Sequence, residues 1–248
     1  MSPHRVFTGT NVFVDGTLKP ATLVVNVATG TISEVYDSAR ARTSFPEVDD
    51  ANWIDAGDKY ILPGLVDAHV HLNEPGRTDW EGFWTGTRAA ASGGVTTVVD
   101  MPLNSIPPTT SVENLEDKRV AAKGQCWTDV AFWGGVIPGN QEFPCVNATD
   151  LRLAMDQLKD TSTVLCFHAE LDKLNHPAPS TDPTAYSTFL ASRPQQLEVD
   201  AIELINTLHK QYPSLRLHIV HLSAAAALPL VRAAKAAGLP LTVETCFH

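Results

Sequence analysis

The sequence predicts an α/β protein built as an incomplete TIM-type (β/α)8 barrel. From Ile61 onward, short apolar runs alternate with helical patterns, which argues for a parallel sheet with crossover helices. Six such strands can be read where a closed barrel needs eight, and the stretch from Ile61 to His248 is about 190 residues against about 250 for a typical barrel. Several histidines fall at the ends of these strands, where a barrel collects its reactive groups.

Residues 1–60 come first, with β-like runs between turns. Val12–Val14 precedes Asp15-Gly16, Thr22–Val25 precedes Gly30, and Thr31–Val35 follows it. Residues 38–52 are polar and read as a loop. The run Ile61–Val70, broken by Pro63-Gly64, reads as a buried strand that emerges at Glu74-Pro75-Gly76. Thr78 and Glu81 have capping-box spacing and predict the start of a helix that ends at Gly93-Gly94. A strand at Val95–Met101, a helix opened by Thr110 and Glu113 and closed by Gly124, and a strand at Asp129–Val136 follow. Leu151, Met155 and Leu158 recur at helical spacing, which predicts a helix over about 149–160. The remainder reads as strand Thr163–Ala169, a polar proline-rich loop Asn175–Pro183 and a helix Gln195–Gln211. Strand Arg216–Leu222, an alanine-rich helix to Gly238 and strand Leu241–Cys246 complete it.

Composition narrows the function. A formal charge of −10 without a basic run argues against nucleic acid or an anionic membrane as partner. No run of eighteen apolar residues exists to predict a membrane span, and the first residues lack a signal-peptide pattern. Cys126, Cys145, Cys166 and Cys246 are scattered without C-x-x-C spacing and read as free thiols, so a cytoplasmic location is expected.

His69 and His71 lie two apart near a strand end, so both imidazoles point to one face. Paired imidazoles there make half a metal site, of a donor type suited to zinc and its neighbours. The alternative is a hydrogen-bonded pair of core histidines. His168 and His221 end two further strands and complete the candidate metal set. His218, at an odd offset from His221, is expected to face the other way and to be structural; His4, His176 and His209 occupy terminal, loop and helix positions with no expected role. Asp67 either orients a ligand or satisfies backbone groups. Asn104 either binds a substrate amide or serves the turn before Ser105. Glu74 and Arg77 are expected to stabilise their loop.

Gly64-Leu65-Val66-Asp67-Ala68-His69-Val70-His71, Glu74-Pro75-Gly76-Arg77, Trp80-Glu81-Gly82, Gly93-Gly94-Val95-Thr96-Thr97 and Met101-Pro102-Leu103-Asn104 resemble the cyclic amidohydrolases, and among them the allantoinase pattern. A dihydroorotase pattern would place an arginine where this chain has Asn73, and dihydropyrimidinases carry a different loop after the histidine pair. The resemblance implies hydrolysis of a cyclic amide, allantoin to allantoate, with two zinc ions per subunit and a homo-oligomer in the full-length family. It implies His69, His71, His168 and His221 as metal ligands, and residues 1–60 as the N-terminal part of a small β-sandwich beside a barrel at 61–248. His248 matches a family motif that does not ligate metal. A non-catalytic relative that binds partners through the barrel surface is the competing reading; retention of all four histidines argues against it.

The chain also departs from the pattern. The family bridges its two metals with a carboxylated lysine on a strand between those predicted at Asp129–Val136 and Thr163–Ala169. Lys19, Lys59, Lys118, Lys123, Lys159, Lys173, Lys210 and Lys235 are all the lysines present, and none ends a predicted buried strand. The break is expected near Gln141, where a helix and a strand, about thirty residues for such a unit, are missing. The family's general-base aspartate, on an eighth strand, has no counterpart before His248. Weak or single-metal binding, impaired activity and exposed strand edges are therefore expected.

Overall fold

Residues 3–136, 146–173 and 182–246 are described by a computed structural model. The expected break at Gln141, together with Cys145, His176 and His248, lies outside these residues.

The N-terminal segment is a five-stranded sheet. Strands β1 (His4–Val14) and β2 (Thr17–Asn26) form an antiparallel hairpin, and β3 (Thr31–Tyr36) extends it. The short β4 (Trp53–Asp55) and β5 (Tyr60–Ile61) both run parallel to β1. Val6, Val24, Phe45 and Val48 form its core. The stretch at 38–52, expected to be a polar loop, therefore donates two core side chains, with short 3-10 turns at Arg42–Ser44 and Asp50–Asn52. The single strand expected at Ile61–Val70 is in fact two. Ile61 pairs with Val12, Pro63-Gly64 breaks the chain, and β6 (Leu65–Val70) starts the barrel portion. A Cβ on Gly64 would lie 2.1 Å from Thr96 Oγ1, so only glycine lets the chain pass here.

The barrel portion comprises two parallel three-stranded arcs. The first is β6, β7 (Val95–Asp100) and β8 (Asp129–Phe132), in that order, with helices α1 (Phe83–Ser92) and α2 (Val112–Ala122) between them. The second orders β9 (Val164–Phe167), β10 (Arg216–Ile219) and β11 (Leu241–Val243) in sequence. Helices α3 (Ala148–Leu158), α4 (Tyr186–Ser192), α5 (Gln196–His209) and α6 (Leu228–Ala236) accompany this arc. All six expected strands are present. Among the described residues β8 and β9 do not pair, so the sheet is interrupted in the interval where the sequence departs from the family pattern.

Helix starts differ in detail from expectation. Thr78 and Glu81 do not open α1, which begins at Phe83. Its first free N–H donates to the Glu74 carboxylate at 2.9 Å, so a loop residue nine positions upstream acts as the cap. Ser111, rather than Thr110, caps α2, accepting from the Asn114 N–H at 3.1 Å. Asn147 and Asp150 form a capping box on α3. The short helix α4 had no sequence forecast.

Candidate metal centre

The strands end earlier than their apolar runs predict, and the histidines stand on or just beyond those ends. His69 is within β6 and His71 one residue past it; His168 follows β9 and His221 follows β10 by two residues. The turns after the strands use left-handed backbone at non-glycine residues: Asn73 (φ 63°), Asn104 (φ 74°), Ala169 (φ 56°) and His221 (φ 37°). Such conformations are costly and cluster where a fold must aim side chains. At His221 the positive φ ends strand alternation.

Four imidazoles from the two arcs thereby meet. Ring centres are 5.3 Å apart for His69 and His71, 5.3 Å for His69 and His221, and 4.6 Å for His168 and His221. Two imidazoles on one tetrahedral zinc, with Zn–N near 2.1 Å, have ring centres roughly 5 Å apart. The ring spacing and the donor type therefore fit a zinc-class ion. The donor atoms are not yet gathered: among the described residues no three His, Cys, Asp or Glu groups are placed to hold an ion. The His168 side chain is 66% exposed, so this ring is not locked in place by packing.

Electrostatics favour ligand-ready neutral rings at two positions. The protein around the His71 ring lowers its pKa, and His69, His221, Lys118 and His168 add to this. Burial lowers His221 likewise, followed by His168 and His69. Metal binding needs the unprotonated imidazole, so both shifts act in the same direction as ligation.

The surrounding residues hold this geometry. Asp67 accepts the His69 backbone N–H at 3.1 Å, the backbone role of its two alternatives. Asn73 donates its side-chain amide to the His71 carbonyl at 3.1 Å. Glu198 of α5 accepts both the Ser223 and Ala224 N–H groups, fixing the turn after His221. Arg77 donates to the Asn104 carbonyl at 3.1 Å and lies over the Trp80 ring, so it stabilises its loop as expected. Among the described residues the Asn104 side-chain oxygen is buried without a partner. The buried His209 donates from Nε2 to the Leu215 carbonyl at 2.8 Å, a structural contact.

His218 corrects its sequence reading. It does not face away from the site. Its Nδ1 meets Thr242 Oγ1 at 2.8 Å and its Nε2 meets the Glu244 carboxylate at 3.2 Å, and Glu244 also bonds His69 Nδ1. Glu244, just beyond β11, was not singled out from the sequence. Its partner His69 is 175 residues away, so no local spacing reveals the pair. A carboxylate at a strand end was the available signal. Burial works to raise the Glu244 pKa, but hydrogen bonds from His69 and His218 outweigh it and hold the carboxyl below its usual value. Glu244 and His218 line a 160 Å³ cavity between the arcs with Ala68, Met101, Trp133 and Cys166.

The chain belongs to the amidohydrolase family, which matches residues 60–201. Its relatives narrow this further. The chain is 49% identical to a protein named mitochondrial allantoinase from Aquarana catesbeiana, over 90% of this chain and 50% of that one. It is 44% identical to allantoinase from Saccharomyces cerevisiae, over 99% of this chain and 60% of that one. It thus spans roughly half the length of the curated relatives it matches. The yeast match runs 276 positions against 248 residues here, so at least 28 matched positions have no counterpart in this chain. The fold is similar to L-hydantoinase (dihydropyrimidinase) from Arthrobacter aurescens, with TM-score 0.79 and 24% identity over 97% of this chain and 57% of that one. A D-hydantoinase gives TM-score 0.77 and 22% identity over 98% and 57%.

Proposed function

We propose that this chain is an allantoinase-type cyclic amide hydrolase whose centre takes a single zinc ion through His69, His71, His168 and His221. The convergence of four imidazoles from two separate arcs carries this reading, because a scaffold has no use for it. Similarity to proteins named allantoinase supports allantoin as the substrate. When bound, the ion supplies Lewis acidity toward a ring carbonyl and toward water. The protein's own part is to present neutral rings and to hold the turns that carry them. The orphaned Asn104 oxygen is suited to accept an N–H of a cyclic ureide, a role the reading assigns to it.

The donor set does not fit two bridged ions. Lys118 lies within α2, Lys235 within α6, and Lys123, Lys159 and Lys210 at helix ends. No lysine ends a barrel strand, and two dications about 4 Å apart repel by roughly 17 kcal/mol at an effective dielectric of about 20 without an anion between them. Turnover by this chain is accordingly expected to be far below that of a chain with both the interior segment and the family's aspartate-bearing eighth strand restored. Allantoate formation by both, in the presence of zinc, tests this. No turnover by the restored chain sinks the allantoinase reading, and full turnover by the present chain sinks the impairment.

The reading divides the chain at residue 60 into a β-sandwich part and the hydrolase barrel. It also carries over the family's homo-oligomer. No described helix is long and apolar enough to cross a membrane. The free Cys126, Cys166 and Cys246 support the cytoplasm as location, with mitochondria, from the name of the Aquarana catesbeiana relative, as the competitor.

A further inference from the structure

We propose that Glu244 is the positioning residue of the centre: its carboxylate fixes the tautomer of His69 and ties the two arcs together so that their histidines face one another. The inference deepens the metal reading above and rests on it for its meaning, but its test does not.

One carboxylate takes three hydrogen bonds from two arcs. His69 Nδ1–H on β6 donates to Oε1, His218 Nε2–H on β10 donates to Oε2 at 3.2 Å, and the His221 backbone N–H donates to Oε1 at 3.2 Å. A carboxylate accepts only, so the proton of a neutral His69 must sit on Nδ1, leaving the Nε2 lone pair free. Both nitrogens of His218 are engaged, by Glu244 and Thr242, so that ring is a support and not a ligand. The same carboxylate anchors the His221 backbone at its strained turn. It therefore sets the orientation of one proposed ligand from each arc. Where β8 and β9 do not pair, this contact supplies at the site the registration that a continuous sheet would give.

Two variants separate positioning from folding. Glu244→Leu removes the acceptor; Glu244→Gln keeps a carbonyl acceptor of similar shape and loses the charge. Nitrogen-15 imidazole spectra of the zinc-free chain read the tautomer directly. The expected wild-type result is His69 protonated on Nδ1, shifting toward Nε2–H in Glu244→Leu and less far in Glu244→Gln. If Glu244→Leu does not fold, the wild-type and Glu244→Gln spectra decide alone. Zinc affinity, measured by competition with a chelating dye on chain that still unfolds cooperatively, is expected to fall about 10- to 100-fold in Glu244→Gln, as removing such supporting carboxylates does elsewhere. His69 protonated on Nε2 in the wild type, or a Glu244→Gln protein with wild-type tautomer and zinc affinity, overturns the proposal. A wild-type chain that shows the Nδ1–H tautomer but binds no zinc leaves Glu244 as the positioning residue and removes the metal reading instead.

Discussion

The two arcs of the barrel portion are held by different physics. The β9–β11 arc rests on a continuous apolar core, in which Ile202, Ile205 and Leu208 of α5 meet Leu217, Ile219 and Leu241 of the sheet and Val231 of α6. The β6–β8 arc has a small core of Leu72, Phe83, Val98 and Ala122. Leu65 and Val66 of β6 are 60% and 64% exposed, and α2 shows Val112 and Val120 to solvent. What fastens α2 is an ion pair: Lys118 donates to Asp100 at 2.5 Å and to the Met101 carbonyl at 3.2 Å, and both charged side chains are 1% exposed. The other Asp100 oxygen accepts the Leu72 N–H at 2.7 Å, directly after His71. Burial works to raise the Asp100 pKa, against the pull of Lys118 and Leu72. One arc brings its histidines to the site on an oily platform, the other on a buried charge. Buried pairs fix geometry more dependably than they add stability, and they fail badly when half is removed.

Substitutions should expose this contrast. Lys118→Met leaves Asp100 buried and alone, and the expected loss is about 3–5 kcal/mol by urea unfolding. Joint replacement, Asp100→Leu with Lys118→Met, should recover most of that loss while loosening the turn after His71, seen as weakened zinc binding. A single replacement costing less than about 1 kcal/mol would mean that the arc does not depend on the pair. In the other arc, Leu208→Ala should cost about 2–5 kcal/mol through a cavity, with no effect specific to the site.

A smaller effect is expected from pH. His71 and His221 have folded pKa values below the ordinary 6.5. Between the folded and unfolded values the unfolded chain binds more protons. Their contribution to stability is therefore full above about pH 6.5 and drains as pH falls through the folded values. Urea midpoints should be lower near pH 5.5 than near pH 7.5, and a His71→Ala, His221→Ala double variant should flatten the difference. Equal midpoints in the wild type would contradict the shifts. Smallest of all, Ser111→Ala on α2 and Asn147→Ala on α3 should each cost about 1 kcal/mol by loss of a helix cap.

Much of this was legible in the sequence because strand ends and histidines obey local rules. The six β-branched runs fixed the strands in order, and His69, His71, His168 and His221 could be read as a set because barrel topology gathers strand ends. The supports were not legible. Glu74 caps α1 from a loop, Lys118 looks like any helix lysine until its burial is seen, and Glu244 finds His69 only through the fold. The facing of His218, though not its reading as structural, was misjudged because strict alternation was carried past Ile219, where β10 ends and the backbone turns left-handed at His221. Helix α4 was missed because, although Tyr186, Phe189 and Leu190 stand at helical spacing, its seven residues are too few for a period to register and open with no side-chain cap.

The measurement that bears most directly on the centre is a zinc titration of the purified chain beside His69→Ala and His221→Ala, one ligand lost from each arc. The account predicts one ion per chain in the wild type, bound far more weakly when either arc loses its histidine. Two tightly held ions per chain, or binding unchanged in either variant, would contradict it.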